Sequence, residues 1–218
     1  IVDGHNQALK LDMGDPNPFY HNGSYYLYYL QNTGNHSWSV VKTDDLISSS
    51  FPREVLSASG AADAADQWLG SGSVIQAQDG QLHLFYTGHN KNLTPVEVAM
   101  RAQSAGTDLY NWVTQPDEQF SGSAGYSDYD FRDPMVVWNA QQQNYWMLIT
   151  SRYNNQAAIG LYTSTDLQNW TPQAPLYLED SALNLEVPDY FSLDGTPFIV
   201  YSDQRDESRQ VKYLQQLD

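Results

Sequence analysis

The sequence runs to 218 residues, 41% hydrophobic and 13% aromatic, which suffices for one packed domain over residues 1–218 and is too apolar for a disordered chain. Ten basic against 26 acidic residues leave a net charge of −16, so phosphate backbones and anionic lipid surfaces would repel it: no nucleic-acid partner and no membrane partner is expected. The absence of cysteine removes disulfides, thiolate metal sites and cysteine nucleophiles, and no apolar run approaches the roughly 18 residues that span a bilayer.

The first residue is Ile1 rather than Met, which places the natural start upstream, and the opening stretch holds no signal-type apolar segment. From there, short aromatic and β-branched runs alternate with turns. Residues 18–20 and 25–30 flank His21-Asn22-Gly23-Ser24, 73–76 and 81–86 flank Asp79-Gly80, and 191–193 and 197–201 flank Asp194-Gly195. Asn-Gly or Asp-Gly between two such runs predicts a hairpin. Residues 56–65, rich in Ala, Ser and Gly, predict a loop between the first two groups. A shared closing turn recurs as Thr43-Asp44-Asp45-Leu46, Thr107-Asp108-Leu109-Tyr110-Asn111-Trp112 and Thr165-Asp166-Leu167-Gln168-Asn169-Trp170. The units open at Asp15, Ser71, Asp133 and Glu186, about 53 to 62 residues apart. A repeat of that length carrying about four short strands is a blade of a β-propeller. The expectation is therefore an all-β propeller with about four blades visible, the last ending after about three strands.

The inner strands of a propeller converge on a central funnel, so the opening residues of successive blades face one another. Three of the four are carboxylates: Asp15 in Gly14-Asp15-Pro16-Asn17-Pro18, Asp133 in Phe131-Arg132-Asp133-Pro134 and Glu186 in Leu185-Glu186-Val187-Pro188-Asp189. Carboxylates across a polar cleft are the machinery of glycoside cleavage, one attacking the anomeric carbon or activating water and another protonating the leaving oxygen. Crowding raises the pKa of one of them, which keeps an acid protonated near neutral pH. Taken singly, each has a plainer reading. Asp before Pro suits a turn, Arg132 with Asp133 suits a buried ion pair between blades, and Glu186 suits an exposed edge. Trp38, Trp112, Trp146 and Trp170 read as core between blades, and Asp44, Asp45, Asp108 and Asp166 as turn residues bonding local amides. It is the joint placement at matching points of a repeat that favours chemistry. The five histidines show no metal-ligand spacing, and no metal and no cofactor is implied.

These motifs resemble glycoside hydrolase family 32, the β-fructofuranosidases, whose catalytic domain is a five-bladed propeller with three acids in its funnel. The family's Asn-Asp-Pro-Asn-Gly motif corresponds to Gly14-Asp15-Pro16-Asn17-Pro18, its Arg-Asp-Pro to Arg132-Asp133-Pro134, its Glu-Cys-Pro-Asp to Glu186-Val187-Pro188-Asp189, and its Ser-Gly-Ser to Ser71-Gly72-Ser73. The resemblance implies Asp15 as nucleophile, Asp133 as transition-state stabiliser and Glu186 as general acid/base, with Asn17, Gln31, Trp38, Trp68, Ser71 and Arg132 as substrate-binding candidates. It implies cleavage of sucrose or fructans, a small-molecule or oligosaccharide partner, with retention of configuration. The departures are Gly14, Pro18, Leu30 in place of the hairpin Gln (with Gln31 beside it), Gly70 with Trp68 nearby, and Val187. Two alternatives stand beside this reading: an inverting five-bladed hydrolase of the arabinan or xylan type, and a non-catalytic carbohydrate-binding propeller.

Overall fold

Side chains alternate across a strand, so a sheet covered on both faces must be apolar at nearly every position. That pattern runs through the middle strands of this chain. The computed structural model describes residues 13–106, 108–180, 183–205 and 208–215. Its first sheet contains β1 (Met13–His21), β2 (Ser24–Gln31), β3 (Ser37–Thr43) and β4 (Arg53–Ser57), joined in that order. The second contains β5 (Trp68–Gln76), β6 (Leu82–His89), β7 (Glu97–Ser104) and β8 (Trp112–Thr114). The third is built on β9 (Tyr126–Asn139), β10 (Asn144–Tyr153) and β11 (Gln156–Ser164), with the short β12 (Thr171–Pro172) and β13 (Tyr177–Glu179) both pairing β11. The fourth has three strands, β14 (Leu185–Leu193), β15 (Thr196–Arg205) and β16 (Ser208–Gln215). All pairings are antiparallel, and β1, β5, β9 and β14 lie side by side as the inner strands of four propeller blades. The predicted hairpins form at Asn22-Gly23, Asp79-Gly80 and Asp194-Gly195, where the glycines adopt φ of 86°, 87° and 80°.

Three cores glue the blades together, one per junction. Tyr28, Trp38 and Val40 of the first blade meet Val74, Leu84 and Tyr86 of the second. Ile75 and Phe85, on the opposite face of the second blade, meet Phe131, Met147 and Tyr162 of the third. Trp146, Leu148 and Ile159 of the third then meet Leu185, Ile199 and Tyr201 of the fourth. The second blade thus splits by period two, with Leu84 and Tyr86 facing one way and Phe85 the other. Among the described residues no helix is long and apolar enough to cross a membrane.

Two sequence expectations shift. The predicted loop at 56–65 starts later, because Leu56 is buried in the first core and ends β4 with Ser57. The closing turns are built on a hydroxyl and an Asp two residues on. Thr43 Oγ1 accepts from the Leu46 amide, and Asp45 Oδ1 from the amides of Ile47 and Ser48. Ser164, not Thr165, plays the Thr43 part, with Asp166 accepting from Gln168 and Asn169. Thr107 of the middle turn lies outside the described residues.

Trp38 is fully buried, and its Nε1 donates to the Gly70 carbonyl at 3.0 Å, which ties the first blade to the second. Trp38→Ala should cost about 3–5 kcal/mol and Trp38→Phe a smaller amount, read as lowered urea midpoints at constant slope. A Trp38→Ala midpoint equal to that of the parent would show that this junction does not depend on the indole.

Candidate active site

Each inner strand carries an irregularity at the same height, where two residues face one on the neighbouring strand. Asp15-Pro16 lies opposite Tyr29, Gly70-Ser71 opposite Thr87, Asp133-Pro134 opposite Ile149, and Val187-Pro188 opposite Tyr201. Such a bulge breaks the ladder and re-aims a side chain. Proline suits it because no ladder donor is lost. The residue before proline turns left-handed in three blades, with φ of 45° at Asp15, 59° at Asp133 and 50° at Val187. Asp tolerates that region, whereas the β-branched Val187 is strained there.

This register corrects the expected equivalence of the three acids. Asp15 and Asp133 occupy the same bulge position, but Val187 holds it in the fourth blade. Glu186 stands one residue earlier, still paired with Ser202, and matches Arg132 of the third blade, which pairs Thr150. Matched positions on neighbouring blades point the same way. Arg132 and Glu186 accordingly meet, with Nη2 2.9 Å from Oε1.

The bulges surround a cavity of about 540 Å³ lined by Asp15, Trp68, Ser71, Arg132, Asp133 and Glu186, six of the nine residues expected from sequence. Asp15 Oδ2 accepts from Ser71 Oγ at 2.5 Å. Asp133 Oδ2 accepts from Thr150 Oγ1 at 2.9 Å and from the Val187 amide at 3.1 Å, while its own amide donates to Thr87 Oγ1 at 2.8 Å. Burial pushes the Asp133 carboxyl up to about 6, with Arg132, the Val187 amide and Thr150 working against it and the Glu186 charge adding least. Carboxylate crowding, the cause expected from sequence, is thus the smallest contributor at Asp133. Trp68 is 37% exposed and meets the His36 ring edge-on at 5.7 Å.

The other three expected residues sit elsewhere. Asn17 is not among the residues lining the main cavity; its Oδ1 accepts from the Val74 amide at 3.0 Å and it borders a void of about 30 Å³ shared with Asp15 and Asp133. Gln31 does not line the main cavity. Its amide oxygen takes a bond from Ser39 Oγ, and Leu30 supplies the wall instead. Trp38 is core, as its indole fills the first blade junction.

Sequence reading missed Glu97, which opens β7, is 8% exposed and lines the cavity. Its Oε2 accepts from Arg132 Nη1 at 3.1 Å and from the Phe131 amide at 2.9 Å. Burial opposes its charge, yet His89, Arg132 and the Phe131 amide together hold the carboxyl below the usual range. The available signal was a carboxylate at the head of the apolar run Val98-Ala99-Met100. Arg132 also reaches Asp130 Oδ1 at 3.0 Å, so its guanidinium serves three carboxylates, Glu97, Asp130 and Glu186. The plainer reading of Arg132 and Asp133 as a simple ion pair gives way to this fork, with Asp133 feeling the guanidinium only through its charge. Gln204 Nε2 donates to Glu186 Oε2 at 2.5 Å, and Arg209 Nη1 lies 3.4 Å from the same oxygen. Among the described residues no cluster of three or more His, Asp or Glu side chains is placed to hold a metal ion.

A sequence model described as the glycosyl hydrolases family 32 N-terminal domain matches residues 5–216. An insoluble β-fructofuranosidase isoenzyme of Arabidopsis thaliana is 28% identical over 209 residues, covering 89% of this chain and 34% of that enzyme. A sucrose:sucrose 1-fructosyltransferase of Festuca arundinacea is 29% identical over 183 residues, covering 76% of this chain and 27% of that one. Among solved structures, a family 32 β-fructofuranosidase of Bombyx mori superposes with a TM-score of 0.73 at 26% identity, over 93% of this chain and 46% of its own. The chain therefore spans less than half the length of each of these proteins.

Asp133 supplies a pH test of the site. Its carboxyl holds a proton more tightly folded than unfolded, so the folded state binds more protons between about pH 4 and pH 6, and stability from this group falls as pH rises through that window. A shift from the ordinary value of 3.8 to about 6 corresponds to about 3 kcal/mol. Asp133→Asn keeps an acceptor for Thr150 and Val187 but cannot titrate. Its stability relative to the parent should rise by about that amount from pH 4 to pH 7 in urea melts, and a difference that stays flat would refute the buried, proton-hungry carboxyl.

Proposed function

The chain belongs to family 32 of the glycosyl hydrolases, and on that footing we propose that it cleaves β-fructofuranosides such as sucrose or a fructan by double displacement. One observation carries the reading: bulges on three inner strands bring Asp15, Asp133 and Glu186 to a single cavity. Asp15, steadied by Ser71, attacks C2 of the fructosyl unit while Glu186 gives its proton to the glycosidic oxygen. The C2–O bond to the leaving sugar breaks and an ester to Asp15 forms. Glu186, now ionised, takes a proton from water, whose oxygen attacks C2 and frees Asp15. Asp133 has Oδ2 committed to Thr150 and Val187 and turns Oδ1 to the fructosyl hydroxyls. Trp68, exposed beside His36, offers an aromatic face to a sugar ring. The similarity to a fructosyltransferase adds a variant in which a second sugar replaces water in the last step.

The parent should release free fructose from sucrose, short inulin or levan, with any trisaccharide product marking transfer. Asp15→Asn should lower kcat by about 10⁴-fold or more, as expected on removing a nucleophile, and still bind the sugar in calorimetry. Equal turnover by mutant and parent would remove Asp15 from the chemistry. No release from any of the three sugars would favour the binding-propeller alternative.

A further inference from the structure

An acid that must arrive protonated is poorly served by a neighbouring arginine, because an unshared guanidinium at hydrogen-bond distance favours the ionised carboxylate. Glu186 has such a neighbour in Arg132, 2.9 Å away. What distinguishes this site is the opposite edge of that guanidinium. Arg132 Nη1 is held by Glu97 Oε2 at 3.1 Å and Asp130 Oδ1 at 3.0 Å, while Nη2 and Nε face Glu186 Oε1 at 2.9 and 3.3 Å. Glu97 also accepts the amide of Phe131, the residue before Arg132, so it fixes both the backbone and the side chain of the arginine.

We propose that Glu97 is a positioning residue for Glu186: it holds one edge of the Arg132 guanidinium and so draws part of the positive charge away from the acid at the other edge. The inference rests on the reading of Glu186 as acid/base. Glu97 is buried on β7 and reaches Glu186 only through Arg132. Its second oxygen lies 3.4 Å from His89 Nδ1 on β6. Among the described residues, the other charged or titratable side chains lining this cavity are Asp15 on β1, His36, Lys91, Asp133 on β9 and the largely exposed Arg209 on β16. Gln204 on β15 contributes a neutral donor. Two effects of Glu97 act in the same direction. Its charge competes for Arg132, and as a like charge it disfavours ionisation of Glu186. Removing it lets Glu186 lose its proton at lower pH.

The test uses the full chain carrying Glu97→Gln, and independently Glu97→Ala, which removes the same charge at a different packing cost. The alkaline limb of the kcat/KM profile on sucrose should move down by about half a pH unit or more in both. The ¹³C-carboxyl titration of Glu186, assigned with Glu186→Gln, should move the same way. Glu97→Asp, which keeps the charge, should return most of the shift. The exposed Glu54→Gln is the control and should leave the titration in place. A uniform loss of kcat/KM with limb and titration unmoved would make Glu97 a structural residue and overturn the proposal. A parent that turns over no fructoside would sink the hydrolase reading instead, while the carboxyl titration would still decide whether Glu97 governs Glu186.

Discussion

The cavity of this propeller depends on one backbone device, the two-against-one bulge repeated on the four inner strands described. A bulge frees backbone groups from their own ladder, and buried backbone groups must find other partners. Here most of them find partners on a neighbouring blade, and one on its own. The Thr87 hydroxyl donates to the Ser71 carbonyl and accepts from the Asp133 amide, the Ser73 hydroxyl bridges the Pro134 carbonyl and the Val136 amide, and the Val187 amide reaches Asp133. Blade docking and site geometry are therefore the same set of bonds. A change that loosens a junction displaces an acid, and a change at an acid loosens a junction.

Electrostatics at the site is local for the same reason. A net charge of −16 spread over the surface is screened beyond about 8–10 Å in physiological salt. Within the cavity, one guanidinium stands among Glu97, Asp130 and Glu186, all partly or wholly withdrawn from water. Asp133 is more buried still; it takes its hydrogen bonds from an amide and a hydroxyl and feels the Arg132 charge without a hydrogen bond to it. Glu186 thus shares one guanidinium with two other carboxylates, while at Asp133 burial outweighs the same guanidinium's charge.

The blade repeat, the hairpins and the short fourth unit were legible because they rest on local signals: Asn-Gly and Asp-Gly turns, period-two apolar runs and recurring Asp-Leu closures. The acids were legible as residues at blade openings. Their register was not, because Glu186-Val187-Pro188 and Arg132-Asp133-Pro134 both present a carboxylate near a proline, and only the strand pairing reveals the offset of one. Trp38 and Gln31 misled for a related reason. Both lie near the correct strand end, but a one-residue step in a strand exchanges cavity for core, and Leu30 takes the place expected for a glutamine. Glu97 escaped notice because its function lies in an ion pair with a residue 35 positions away, which no local pattern encodes.

Val187 shows how this offset is held. A β-branched residue at φ of 50° is strained by about 1–3 kcal/mol, and a strand with an aspartate there would avoid the strain. An aspartate in that place would put a third acid at the Asp133 level, with Glu186 still aligned with Arg132. With valine in the bulge, the left-handed turn aims its amide at Asp133 Oδ2. A hydrogen bond to a charged group contributes about 1.5–3 kcal/mol, which is of the size of the strain. The bond strengthens when Asp133 is ionised and weakens when it is protonated, so the conformation of the fourth bulge is linked to the charge of the third. Glu186 is the residue immediately before that bulge. The proton on one acid and the placement of the other are thereby joined through a single backbone amide.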